Sequence, residues 1–123
     1  MPSFGTLKAD TLTHSTAGSL DTNYVVNGSA KAFIRANQAS TSEGQSFNVS
    51  SSTDHGTGDY SHTLTNSLTT RGQLVATIRR NANALSIAMN ESRDSASIMA
   101  VRTYTASSAT DSRAVMVYFG DLA

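Results

Sequence analysis

The chain reads as an all-β protein, an antiparallel β-sandwich or jelly-roll-like domain over residues 21–123 behind an extended N-terminal arm over residues 1–20. Three observations predict this. Apolar residues alternate with polar ones at a period of two in segment after segment, the signature of half-buried strands. Ser and Thr supply roughly a quarter of the 123 residues, well above ordinary usage; Thr favours strands, and Ser favours turns and polar sheet faces. No segment sustains a helical stripe. The best helix candidate, Leu74 to Met89, carries Thr77, Asn81 and Asn83, has no caps, and alternates like strands.

Taken in order, Thr6 to Thr13 is extended, with Leu7 and Ala9 on one face and Leu12 on the other, and residues 16–19 form a turn. Tyr24-Val25-Val26 is a short strand, closed by an Asn27-Gly28 turn whose residue types tolerate positive φ. A strand follows with Ala30, Ala32, Ile34 and Ala36 on one face and Lys31, Phe33 and Arg35 on the other. Residues 38–45 read as a polar loop, and Ser46 to Ser52 as a strand with Phe47, Val49 and Ser51 on one face. The turn cluster Asp54-His55-Gly56-Thr57-Gly58 leads into a strand with Tyr60, His62 and Leu64 on one face, and the two strands pair as an antiparallel hairpin. After a loop over 66–72, Leu74, Ala76 and Ile78 mark one strand and Leu85, Ile87 and Met89 the next, with a turn at Asn81-Ala82-Asn83. Residues 91–94 are a charged turn; 97–104 alternate again; 106–111 are a loop. The last strand is apolar on both faces, with Val115, Val117 and Phe119 opposing Ala114, Met116 and Tyr118, and so belongs at the centre of a sheet or at a subunit interface. The count is eight or nine strands at a spacing of about 8–12 residues, the rhythm of a sandwich or barrel.

Composition then bears on assembly. Hydrophobic residues make up 38% of the chain and aromatics 7%, with no Trp and no Cys. A core of so few bulky side chains is thin, and disulfides are not available to support it; burial between sister copies is the remaining common remedy. The arm, which has no evident core of its own, supplies the candidate anchor or oligomer contacts Phe4, Leu7 and Leu12. Nine basic residues balance nine acidic ones. Nucleic-acid binding needs a basic field, and only Arg79-Arg80 are adjacent cations, so no nucleic-acid partner is expected, nor an electrostatic membrane anchor. No apolar run approaches the length of a membrane span, and the opening Met1-Pro2-Ser3-Phe4-Gly5 does not read as a signal peptide.

The run Asn27-Gly28-Ser29-Ala30-Lys31-Ala32-Phe33, then Ser46-Phe47-Asn48-Val49-Ser50-Ser51, then Asp54-His55-Gly56-Thr57-Gly58-Asp59-Tyr60 resembles the C-terminal domains of bacteriophage tail-fibre and virion-surface proteins. The resemblance is specific over about Val26 to Thr65 and loose beyond, where the closing Val117 to Gly120 keeps the rhythm. Phe33 stands where that family often carries Trp. The resemblance implies a homotrimeric, β-rich, non-enzymatic structural domain on the virion surface, made in the bacterial host cytoplasm and in contact with other capsid or tail proteins. It transfers no receptor-contact residue. Such fibre domains usually end long shafts; a chain opening at its own Met without shaft repeats is expected to be a short tail fibre or spike, or a capsid decoration (cement) protein, which attaches to the host or stabilises the head and meets host-surface glycans. The alternative class is a carbohydrate-binding module of a cellular protein.

No catalytic, cofactor or metal site is predicted. Asp54, His55, Asp59 and His62 lie close in sequence, but Asp59 and His62 point to opposite faces of a strand and match no ligand spacing. Ser, His and Asp are present without a Gly-x-Ser-x-Gly elbow, and Gly56-Thr57-Gly58 has no helix behind it to bind phosphate. The carboxylates fall mostly in turns, where solvated caps are the usual role. Asn27, Asn48 and Asn90 head glycosylation-type tripeptides that carry no meaning in a phage protein. Tyr24, Tyr60 and Tyr104 have the chemistry to stack on sugars, although burial in a sheet is the commoner fate of Tyr.

Overall fold

A computed structural model of the chain describes residues 8–36, 42–79 and 86–123. It is built from antiparallel strands with one short helix. In order these are β1 (Thr11–His14), β2 (Gly18–Asp21), α1 (Thr22–Gly28), β3 (Ala32–Ala36), β4 (Ser42–Phe47), β5 (Val49–Gly56), β6 (Asp59–Leu64), β7 (Gln73–Arg79), β8 (Ser86–Met89), β9 (Ile98–Tyr104) and β10 (Arg113–Phe119). Two four-stranded sheets, ordered β4-β3-β10-β7 and β5-β6-β9-β8, pack face to face as a sandwich, while β1 and β2 form a separate hairpin. β10 is central in its sheet, one of the two places its doubly apolar pattern allows.

The core follows the alternation. Ala32, Ile34, Ala114, Met116 and Tyr118 from one sheet meet Tyr60, Leu64, Met99 and Val101 from the other. None of the three phenylalanines among the described residues belongs to it; its large rings are Tyr60 and Tyr118. Each buried phenol has a partner. The Tyr60 hydroxyl donates to Asp111 Oδ1. The Tyr118 hydroxyl accepts from the Gly72 amide at 3.1 Å and lies 3.0 Å from Asp94 Oδ2. Gly72 is required there: a Cβ would sit 2.5 Å from both Leu68 Cδ1 and the Phe119 carbonyl.

The β5–β6 hairpin forms as the turn cluster predicts, closed by Thr57-Gly58 between the Gly56–Asp59 pair. Gly58, at φ +70°, leaves room for the Thr103 carbonyl, which a Cβ would approach to 2.5 Å.

Four local expectations are corrected. Tyr24-Val25-Val26 is helical, within α1. The Asp21 carboxylate caps the first turn by accepting from the Asn23 amide, and Lys31 Nζ donates to the carbonyls of Val26 and Ser29, so capping at both ends outweighs the β preference of the valines. Gly28 ends this helix without a positive φ. Ser42–Gln45 belong to β4 and not to a loop. Finally, Ser46 to Ser52 is not one strand. Asn48, at φ +56°, breaks it, so Phe47 ends a strand of one sheet and Val49 begins a strand of the other. Within the arm region, the chain doubles back from Thr11 onward, pairing Leu12 with Leu20 across the β1–β2 hairpin. The 81–83 turn lies outside the described residues.

Candidate functional site

The outer face of the β4-β3-β10-β7 sheet carries several exposed apolar side chains. Register places Phe47, Phe33, Val117 and Val75 in one row across all four strands, each opposite the next. The Phe33 and Phe47 rings stack with centroids 6.0 Å apart and planes at 21°. Yet Phe47 is 55% exposed, Val75 60% and Phe33 39%, and Val115 lies open one position along. Single exposed apolar residues are ordinary; a register row of them on one sheet face is less so. Arg35, opposite Val115, and the exposed Arg113 lie towards the neighbouring end of the face.

The N-terminal unit, residues 8–29, is its counterpart in composition. β2 is exposed along its whole length and α1 buries no residue. Leu12, Leu20, Tyr24, Val25 and Val26 are all open to solvent. Thr22 ties α1 to the hairpin, its hydroxyl donating to the Ala9 carbonyl at 2.7 Å. Between them, Ala9, Leu12, Val25 and Val26 line a hollow of about 500 Å³. A second apolar hollow of about 410 Å³ separates α1 from the corner of the sandwich at Phe47 and Leu122. Of the predicted anchors, Leu12 is therefore an exposed residue of β1, while Phe4 and Leu7 lie outside the described residues.

At the opposite chemical extreme is a polar hollow of about 280 Å³ beside the β5–β6 turn, lined by His55, Thr57, Asp59, Arg102 and Tyr104. Asp59 accepts from Asn90 Nδ2 at 2.8 Å and Arg102 at 3.2 Å, with Arg93 at 3.4 Å. Partial burial acts to raise its pKa, but these donors outweigh it and hold the carboxyl below its usual range. The hollow is thus cross-braced from within. Tyr104, half-exposed, is the one tyrosine of its wall; Tyr60 is buried, and Tyr24 stands 70% exposed on α1.

The residues weighed for catalysis are dispersed. His62 is fully buried with Nδ1 2.8 Å from Ser52 Oγ, and its Nε2 has no hydrogen-bond partner, so no acid orients the ring. Burial lowers its pKa to about 4. His55 Nε2 lies 2.8 Å from Ser61 Oγ, and Asp54 accepts from the Gly56 amide within its own turn. Among the described residues no three His, Asp or Glu side chains gather as metal ligands would. Two turn carboxylates depart from the solvated role expected of them. Asp94 is buried and Asp111 braces the Gly58 amide at 2.7 Å, tying the 106–111 loop to the β5–β6 turn.

The apolar row itself escapes sequence reading in part. The outward Val115, Val117 and Phe119 are legible as a second apolar face; that Phe33, Phe47 and Val75 share their row depends on strand pairing, which alternation does not specify. Comparison of the chain with family models, with curated proteins and with solved structures returns no match.

Proposed function

We propose that this chain is a non-enzymatic structural subunit of a bacteriophage virion surface, a homotrimeric short tail fibre or spike or a capsid decoration protein. The observation that carries the reading is the open apolar row Phe47–Phe33–Val117–Val75 on a sheet whose own core holds no Phe. Burying a Phe or Val side chain contributes about 1.5–3 kcal/mol, so leaving the row wet forfeits stabilisation that a sister copy supplies. The resemblance of Val26 to Thr65 to virion-surface domains gives the biological setting. The strong bracing of the turns by Asp59, Asp94 and Asp111 suits a part whose work is mechanical.

A second reading, a carbohydrate-binding module, is favoured by the polar hollow with Arg102 and Tyr104 on its wall. Its volume is at the small end of the ligand pockets found in proteins, about 300–1,000 Å³. In a trimer three such hollows would add avidity for a host-surface glycan without new contacts.

Quantitative mass spectrometry of purified, nuclease-treated particles separates the two readings. A virion subunit is recovered with the particles in copy numbers divisible by three. Recovery only in the soluble cell fraction, together with binding of the isolated chain on a glycan array, contradicts the structural reading.

A further inference from the structure

We propose that the hollow between α1 and the corner of the sandwich binds an amphipathic monoanion, a carboxylate carried on a short apolar chain, with Lys31 as its cationic partner. The hollow is bounded within a single chain, so this site does not depend on the oligomeric reading above.

The first supporting observation is size and lining. The hollow measures about 410 Å³, within the roughly 300–1,000 Å³ usual for small-molecule sites. Val25 and Val26 line it from α1, and Phe47 and Leu122 from the sandwich. All four are exposed. An apolar chain laid between them takes both walls out of water at once.

The second is a buried charge. Lys31 lines the same hollow and is only 7% exposed. Its ammonium donates to the Val26 carbonyl, to the Ser29 carbonyl at 3.0 Å and to the Ser29 hydroxyl at 2.8 Å. Its hydrogen bonds are therefore satisfied, but only by neutral groups. Among the described residues no carboxylate pairs with it. A buried charge is costly unless an opposite one accompanies it. The carbonyl end of a helix supplies at most about half a negative charge, and α1 has only seven residues. The rest of the polar wall is neutral and tied to itself, the Asn66 amide donating to Asn48 Oδ1 at 2.7 Å. Asp121 and the carboxylate of Ala123 flank Leu122, outside the lining, and neither pairs with Lys31. Beyond Val25 and Val26, the neighbouring hollow holds one charge of each sign, Lys8 and Asp10. Two apolar walls and one uncompensated cation select an apolar body with a single negative charge over a neutral or cationic one. The ligand carboxylate takes the place of the Ser29 hydroxyl, the one acceptor of the three that rotates freely.

Titration of the intact, isotope-labelled chain with octanoate, octanol and octylammonium, followed by amide chemical shifts, tests this. Octanoate is expected to shift the amides of Val25, Val26, Lys31, Phe47 and Leu122 saturably. It is expected to bind about tenfold or more tighter than octanol, the gain of a charge-assisted contact, with octylammonium weakest. Lys31→Met removes the preference for octanoate over octanol. Because Lys31 also caps α1, Val26→Glu is the second variant. It keeps the Val26 carbonyl and the cap, sets a carboxylate on the wall, and is expected to weaken octanoate about tenfold while improving octylammonium. Equal binding of octanoate and octanol by the wild type would overturn the site. So would shifts centred on Val75 and Val117 instead of the hollow, or a preference for octanoate that Val26→Glu leaves undiminished.

Discussion

His62 shows how one side chain can set the acid tolerance of a thin core. It is fully buried, bonded on one nitrogen to Ser52 and unpartnered on the other. Burial disfavours the imidazolium and takes the pKa from 6.5 to about 4. Because the folded-state value is the lower one, the unfolded chain gains the proton first as pH falls. Stability is complete above pH 6.5 and declines as the pH falls to about 4, by about 3 kcal/mol in all. Asp94 acts in the opposite sense: burial raises its pKa against the pull of Tyr118, the Ala100 amide and Arg71, so the fold gains from its protonation. The comparison of wild type with His62→Leu isolates the imidazole. Urea unfolding across this range is expected to show a decline in the wild type that exceeds the variant's by about 3 kcal/mol; parallel curves would mean His62 is charged in the fold.

Among elements, the junction of β4 and β5 decides the architecture. Alternation predicts one strand through Phe47 and Val49 and the hairpin beyond it; the hairpin forms, but the strand is split, and alternation carries no mark of the change of sheet. That change is the work of Asn48, whose positive φ is tolerable for Asn and whose side chain is used on both ends. Its Nδ2 donates to the carbonyls of Lys31 at 3.0 Å and Asn66 at 2.9 Å, and its Oδ1 accepts from the Asn66 amide at 2.7 Å. Asn48→Ala loses these bonds and adds backbone strain, and is expected to cost about 3 kcal/mol in urea unfolding; Asn48→Gly keeps the dihedral and is expected to cost about 1 kcal/mol less. Equal costs would show that the bonds alone hold the junction. The helix α1 was illegible for a related reason. Its sequence, Tyr24-Val25-Val26, favours a strand, and the Lys31 side chain that caps it lies beyond the element. Period-two alternation did mark the inward faces of β6 and β7, because those positions are set by burial rather than by long-range capping; in β10, apolar on both faces, it did not tell inside from outside.

At the scale of the whole molecule, the proposed oligomer would account both for the scarcity of bulky apolar residues and for the outward placement of several of them. Small residues, Ala32, Ala36 and Ala114, fill the sandwich interior, while Phe33, Phe47 and Val75 lie on its outside and Leu12, Leu20 and Val26 on the N-terminal unit. A composition poor in core-forming side chains is what raised the expectation of sister copies, which belongs to the proposed function. The apolar row itself was not readable, since it exists only after four strands have paired in register. The central claim is that this row is covered in the functional state. Sedimentation equilibrium of the intact chain measures it directly: the account predicts a species of three times the 12.9 kDa chain mass that Phe33→Glu with Val75→Glu reduces to one chain. A single 12.9 kDa species at every concentration, or a trimer indifferent to that double substitution, contradicts it.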